Sequence, residues 1–173
     1  MSSPYHRELL AQAVHLAGKE RRRPKQASLR RAVSAAYYAL FHFLIDEACR
    51  NIVGTTHQRR SLRHVLMRAF SHTTMKNASK TFSGGNLPAG LSTTLSTIVV
   101  SSELREVAGT FVTLQDERHR ADYDLASPFS KSEVTTLIRS VQDAFELWET
   151  IKSDDASRLY LVALLSWDQL RGK

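Results

Sequence analysis

The residues of this sequence whose types could bind or cut a phosphate ester are concentrated in one run, RHRADYD, at residues 118–124. The guanidinium of Arg118 or Arg120 offers a planar fork of N–H donors that fits a phosphate, and the same fork fits a neighbouring carboxylate equally well. His119 can transfer a proton near neutral pH, and Tyr123 can donate a hydrogen bond through its hydroxyl. The run is consistent with a phosphate-binding site or with an internal network of ion pairs, and both interpretations stay open at this point.

A second set of cationic side chains follows Gly54 and lies on one face of a predicted helix. It contains Arg59, Arg60, Arg63, Arg68 and Lys76. The charge of the whole chain is just as uneven, because residues 1–80 contain 15 Lys and Arg against 4 Asp and Glu, whereas residues 81–173 contain 9 against 13. A basic region of this kind attracts phosphate, so the pattern predicts contact with RNA or nucleotides, and it would equally attract an acidic protein.

Other function classes are disfavoured by the sequence. His57, His64 and His72 are seven and eight residues apart without a helping Cys or carboxylate, so the sequence predicts no metal site and no cofactor. The single cysteine, Cys49, provides no disulfide framework. No apolar run approaches the ~20 residues that span a bilayer, and the N-terminus lacks the apolar core of a signal peptide. These features predict a cytoplasmic protein without a membrane segment.

The elements that must position these residues are helices, and residues 29–53 predict the central one. Its apolar residues form two adjacent stripes with helical spacing, which makes the helix apolar over most of its circumference and therefore largely buried. The stripes are Val33, Tyr37, Leu40 and Leu44, and Tyr38, Phe41, Ile45, Cys49 and Ile52. The narrow strip that remains contains Ala35, Ala39 and His42. Small side chains allow another backbone, from the same chain or from another chain, to approach closely. We predict a homodimer with these three residues at its interface.

Capping and turn residues bound the other helices. An amphipathic helix runs from Tyr5 to about Lys19, and Gly54 suits the position after the central helix. Thr55 with Gln58 and Ser130 with Glu133 match the capping-box pattern, and Asp154 or Asp155 caps the last helix. Further apolar helical faces comprise Leu62, Val65, Leu66, Ala69 and Phe70; Leu104, Val107, Phe111 and Leu114; and Val134, Leu137, Val141, Ala144, Trp148 and Ile151.

Residues 91–100 favour a strand by composition but keep helical spacing, and we interpret them as a poorly formed lead-in to the next helix. The sequence therefore predicts an all-α protein without a sheet. The expected architecture is a single domain over residues 1–173, an antiparallel up-and-down bundle of five to six helices with short connections.

Three motifs in order carry a family resemblance. They are RAVSAAYYALFH at residues 31–42, Thr56-His57 at the start of the next helix, and RHRADYD at residues 118–124. The chain resembles HEPN domains (higher eukaryotes and prokaryotes nucleotide-binding), most of all the small stand-alone prokaryotic proteins. The resemblance covers roughly residues 25–150. It implies a dimeric helical bundle, RNA cleavage in toxin–antitoxin or defence systems, and a nucleotidyltransferase-type protein as partner.

Active members of that family resemble metal-independent ribonucleases with an Arg followed four to six residues later by a His. Here Arg118 matches the Arg and His119 the polar residue after it, but Tyr123 stands where the His would be. A phenol with a pKa of about 10 is a poor general base near pH 7. The resemblance therefore implies RNA binding by Arg118, Arg120 and Tyr123, with proton transfer left to His119. Additional phosphate-binding candidates are His57, Arg59, Arg60 and Arg63.

The alternative function is a non-catalytic interaction module. In that interpretation the basic first half docks on an acidic protein, and residues 117–124 are purely structural. The location of Arg118 and Tyr123 discriminates between the two. An open cleft beside the basic helices favours phosphate binding, and burial in mutual ion pairs favours the structural role.

Overall fold

The computed structural model describes residues 4–172, which form seven α-helices and no strand. The helices are α1 (Tyr5–Gly18), α2 (Gln26–Val53), α3 (Arg60–Leu66), α4 (His72–Ser83), α5 (Ser102–Tyr123), α6 (Lys131–Ile151) and α7 (Asp155–Leu170). The all-α prediction is confirmed. The predicted count of five to six helices is wrong, because the helix expected after Gly54 is divided. Phe70 has an extended backbone (φ −79°, ψ 136°), and Ser71 caps a new helix by accepting a hydrogen bond from Thr74 N.

The chain forms two compact units. The first joins the described residues through Phe43 to Thr110–Glu146, and the second joins Leu44–Gly109 to the described residues from Leu147 onward. Helices α2, α5 and α6 each contribute residues to both units.

The core of the first unit forms around the N-terminal part of α2. Tyr37 is fully buried and its ring lies 5.7 Å from that of Phe111 on α5. Phe43 packs on Phe145 of α6 at 4.4 Å between ring centroids, and His6 of α1 contacts both rings at 5.1 and 5.4 Å. Tyr38 is half-buried rather than part of the core. The prediction of a largely buried central helix is confirmed.

The small-residue strip of α2 is covered within the chain. Ala39 is 0% exposed and Ala35 is 7% exposed. Helix α1 lies over this strip, with the Tyr5 ring 5.0 Å from the His42 ring and Leu9 beside Ala35. The close approach that the small residues predicted is thus made by α1. Ala39 is fully buried and His42 is half-buried, and the homodimer with these residues at its interface stays a prediction.

The start of α6 has the capping box that the sequence predicted. Ser130 N donates to Glu133 Oε2 at 2.7 Å, and Glu133 N donates to Ser130 Oγ at 3.1 Å. These bonds satisfy donors that a helix start leaves unpaired. They also lower the pKa of Glu133, the hydroxyl and backbone N–H of Ser130 having the largest effect and Arg120 adding to it.

The second unit is organised by the packing of α4 on α7. Ser79 and Tyr160 share a buried hydrogen bond of 2.8 Å, and the rings of Phe82 and Tyr160 lie 5.1 Å apart. Trp148 Nε1 donates to Glu47 Oε2 at 2.8 Å, which satisfies the indole of a fully buried side chain.

Three expectations for this unit have different outcomes. Gly54 has φ +91°, as expected for a glycine after a helix C-terminus. The capping box of Thr55 and Gln58 is absent, because Thr56 occupies the N-cap of a short 3₁₀ turn and makes no side-chain cap bond. Asp154 is the N-cap of α7, but its side chain accepts no cap hydrogen bond.

The apolar face of α3 corrects another expectation. No residue of α3 or of the 3₁₀ turns on either side of it is buried. Leu62 is 57% exposed and Val65 is 65% exposed. The spacing predicted an amphipathic face correctly, but the chain does not cover it. Residues 89–97 form consecutive turns rather than a strand, and α5 begins only at Ser102.

Candidate phosphate-binding cleft

Arg118 is fixed by groups from two helices of the first unit. Its Nε lies 2.7 Å from Asp122 Oδ2, one turn along α5. A second guanidinium nitrogen donates to the Tyr38 hydroxyl at 3.3 Å, and Arg118 Cζ lies 5.7 Å from the centroid of the Tyr38 ring. Ser34 donates to the other oxygen of Asp122 at 3.0 Å. The carboxylate and the aromatic face together hold the guanidinium in one orientation without removing it from the surface.

The neighbouring arginines of α2 have different surroundings. Arg30 Nη1 donates to the backbone oxygens of Arg120 and Ala121 at 3.2 and 3.0 Å, and its Nη2 donates to Ser127 O at 2.9 Å. A cation at the C-terminus of α5 also complements the helix dipole. The Arg31 side chain is exposed and makes no hydrogen bond or ion pair within residues 4–172. Arg30 therefore stabilises the fold, whereas Arg31 can bind a ligand.

These side chains line a surface cleft of about 520 Å³. Its lining consists of Ala27, Arg30, Arg31, Ser34, Tyr38, Arg118, Ala121, Asp122 and Tyr123. Three guanidiniums thus face the cleft with one carboxylate, and that carboxylate is already paired. Two phenol hydroxyls and a serine hydroxyl add neutral hydrogen-bonding groups. A cleft of this charge favours a small anion or a phosphate group.

A second cleft of about 390 Å³ lies on the α1 side of the same α2 residues. Leu9, Gln12 and Leu16 of α1 line it together with Arg31, Ser34, Ala35 and Tyr38 of α2. Arg31, Ser34 and Tyr38 therefore line both clefts.

The other two candidates near Arg118 do not line either cleft. His119 is exposed and its ring lies 4.8 Å from that of Tyr123. Arg120 Nε lies 3.0 Å from Glu117 Oε2, its Nη2 lies 3.4 Å from Glu133 Oε1, and its Cζ lies 3.9 Å from the Phe129 ring centroid. The guanidinium of Arg120 is thus occupied by one ion pair within α5 and one between α5 and α6, as the structural interpretation of the run predicted.

The remaining basic candidates belong to the second unit. Arg59 donates to Val53 O at 2.6 Å, and Arg63 donates to Gly54 O at 2.7 Å. Both arginines therefore satisfy carbonyl groups at and just beyond the C-terminus of α2. Arg60 and His57 are exposed.

Burial and composition limit the chemistry of the first unit. Burial raises the pKa of Tyr37, against the opposing effect of the nearby Arg118 charge, so this phenol stays protonated at neutral pH.

Over residues 4–172, no cluster of three or more His, Cys, Asp or Glu side chains could bind a metal ion. No helix in the described part of the chain is long and apolar enough to cross a membrane.

Sequence reasoning missed the contribution of α2 to the lining of the clefts. The helical spacing places Tyr38 in an apolar stripe and gives no site role to Arg31 or Ser34. Their i, i+3, i+7 spacing places all three on one helical stripe, a signal that the sequence contains. Its meaning depends on α5, whose Arg118 lies 80 residues from Tyr38 in the chain.

Comparison of the chain with family models, with curated proteins and with solved structures finds no match.

Proposed function

We propose that this protein binds RNA or nucleotide phosphates through the Arg118 cleft, as an HEPN-like helical protein. The observation that carries the proposal is that Arg118 and Arg31 line the same cleft. Arg118 is held in one orientation by Asp122, the one carboxylate of the cleft, which it neutralises. Arg31 is exposed and has no partner for its guanidinium. A guanidinium that is fixed before binding loses little conformational freedom when a phosphate arrives.

Each lining group has a role in this proposal. Arg31 and Arg118 bind the non-bridging phosphate oxygens, and the hydroxyls of Tyr38 and Tyr123 donate further hydrogen bonds. Asp122 does not oppose the phosphate with a full charge, because Arg118 and Ser34 both contact it. Asp122 instead positions Arg118.

Binding is better supported than cleavage. The lining of the cleft contains no histidine, and Tyr123 occupies the position at which the resemblance implies a general base. His119 is outside the lining. We expect RNA cleavage by the natural chain to be weak or undetectable, and any cleavage to require Arg118 but no metal.

Fluorescence anisotropy with a labelled single-stranded RNA tests the proposal. Arg31→Gln should lower the affinity roughly 5- to 10-fold, because it removes one charged hydrogen-bonding partner of a phosphate. The slope of log affinity against log salt concentration should become less steep by the amount that one phosphate contact contributes. Arg139→Gln is the matched control, because Arg139 is exposed on α6 and lies outside the cleft. Equal losses in both variants, or no binding at low salt, would refute it.

Cleavage is tested on the same RNA with EDTA present. Tyr123→His installs a base with a pKa near ~6.5 and should raise cleavage if Tyr123 is a degenerate catalytic position. Adding Arg118→Ala to that variant should lower the rate by ~10²–10³, because the charge that stabilises the transition state is lost. A Tyr123→His protein without cleavage would indicate a cleft that only binds.

One observation favours the alternative of an interaction module. Leu62 and Val65 are exposed on α3, and residues 48–102 contain no Asp or Glu. Such a face fits an apolar, acidic protein surface, for example on a nucleotidyltransferase-type partner. Leu62→Ser with Val65→Ser should then abolish association with that partner while RNA binding stays unchanged.

The homodimer remains a prediction. It is tested by light scattering on the natural chain and on the Leu62→Ser, Val65→Ser variant. Light scattering that gives a mass near 19.5 kDa for the natural chain at micromolar concentration would refute it. A dimer mass that falls in the double serine variant would place the interface on α3.

A further inference from the structure

Three α2 side chains connect two chemically different clefts of the first unit. Arg31, Ser34 and Tyr38 line the 520 Å³ cleft on the α5 side and also the 390 Å³ cleft on the α1 side. Arg31 therefore borders both clefts. We refer to the first as the phosphate cleft and to the second as the α1 cleft.

The α1 cleft has the composition of a site for a flat, weakly polar group. Leu9, Leu16 and Ala35 supply apolar surface, and the Tyr38 ring supplies an aromatic one. Gln12 adds a carboxamide with both donors and an acceptor. Small-molecule sites combine mainly apolar walls with a few polar groups that fix orientation. The phosphate cleft, in contrast, is lined mainly by charged and hydroxyl groups.

We propose that the α1 cleft is a base-binding subsite for one unpaired nucleotide whose phosphate lies at Arg31 and Arg118. This inference rests on the proposed function and extends it to single-stranded RNA as the ligand class. The base packs between Leu9, Leu16 and the Tyr38 ring, and the Gln12 carboxamide hydrogen-bonds its edge. Arg31, at the junction of the two clefts, contacts the phosphate.

The lining favours a nucleobase over an aliphatic group. An acyl chain would leave the Gln12 carboxamide facing an apolar group, whereas a base edge supplies both donors and acceptors to that carboxamide. A base paired within a duplex cannot enter the cleft, because its edge is occupied and its faces are stacked. The subsite therefore selects single strands, the form in which splayed bases are available to proteins.

The test compares three labelled probes at one low salt concentration. They are an eight-nucleotide oligoadenylate, an abasic ribose-phosphate octamer with the same number of phosphates, and a blunt RNA duplex. A single base contact on an aromatic and apolar surface should make oligoadenylate bind roughly 5- to 10-fold more tightly than the abasic octamer. The duplex should bind no better than the abasic octamer.

Variants assign the difference to the α1 cleft. Leu9→Ala with Leu16→Ala should bring oligoadenylate affinity down to that of the abasic octamer, with abasic binding unchanged. Val14→Ala is the control, because Val14 is exposed on the same helix and does not line the cleft. Should the double variant unfold, Gln12→Ala replaces it, since Gln12 is exposed and its loss should reduce the same affinity ratio.

The outcomes separate this inference from the function on which it rests. Equal affinity for oligoadenylate and the abasic octamer overturns the base subsite while leaving phosphate binding intact. Absence of binding to every probe overturns the proposed function itself. A base preference that survives both Leu9→Ala with Leu16→Ala and Gln12→Ala places the base elsewhere and also overturns the inference.

Discussion

Replacing Arg30 by alanine should mainly lower the stability of the fold, whereas replacing the adjacent Arg31 by alanine should mainly lower the affinity for RNA. Arg30 donates three hydrogen bonds of 2.9–3.2 Å to backbone carbonyls at and beyond the end of α5. Hydrogen bonds from charged donors contribute about 1.5–3 kcal/mol each when well buried. Arg30 is only half-buried, so water recovers part of each bond when the side chain is removed. We expect Arg30→Ala to lower the free energy of unfolding by about 2–3 kcal/mol in total.

Arg31→Ala provides the matched control. Arg31 is exposed and unpaired, so its removal should change the free energy of unfolding by less than about 0.5 kcal/mol. In a chain of 173 residues the loss for Arg30→Ala corresponds to a fall in melting temperature of about 5–10 °C. RNA affinity should show the reverse order when measured well below both transitions, with the larger loss in Arg31→Ala.

Urea denaturation followed by far-UV circular dichroism measures the stability difference. The midpoint should fall in Arg30→Ala with an unchanged m-value, which separates lost stability from a changed unfolded state. Arg30→Lys should recover only part of the loss, because an ammonium keeps the charge but cannot reach three carbonyls with one planar fork. Equal midpoints for the two alanine variants, or a lower one for Arg31→Ala, would refute the structural role of Arg30.

Three further outcomes are expected. Ser130→Ala removes the capping box of α6 and should cost about 1 kcal/mol in urea denaturation, whereas Ser132→Ala in the same turn should cost much less. The pKa of Glu133 is lower in the folded than in the unfolded protein, so ionised Glu133 stabilises the fold above its unfolded pKa, and this stabilisation is lost as the pH falls through the folded pKa. Glu133→Gln should therefore reduce the dependence of the free energy of unfolding on pH below about pH 4.5. Burial raises the pKa of Cys49 to about 11, helped by Asp46, so thiol alkylation at pH 8 should be slow in the folded protein and fast in 6 M urea; equal rates would contradict the buried position.

Local signals in the sequence determined much of the secondary structure. The two apolar stripes of α2 predicted its burial, because a helix apolar over most of its circumference must be covered on most sides. The Ser130–Glu133 capping box and Gly54 after α2 were also predictable, since each depends on residues a few positions apart.

Periodicity misled where tertiary packing decided the outcome. The apolar face of α3 has the spacing of a core helix, yet Leu62 and Val65 are exposed. Periodicity reports that a helix has an apolar face and does not report what covers it. The strip at Ala39 shows the converse, because the sequence predicted a covering backbone and the structure identifies it as α1.

The sequence predicted a cluster of basic and phenolic side chains at the candidate site, but it did not predict which of them line the cleft. The run at residues 118–124 marked Arg118 and Tyr123, yet only tertiary structure separates Arg118, at the surface cleft, from Arg120, paired with Glu117 and Glu133. Two residues of the same type and two positions apart point in different directions on a helix, and their partners come from different helices. Sequence by itself therefore determined the helices and the charge of this protein. Tertiary structure decided that Arg118 lines the surface cleft, because its contact with Tyr38 joins residues 80 positions apart and depends on how helices pack.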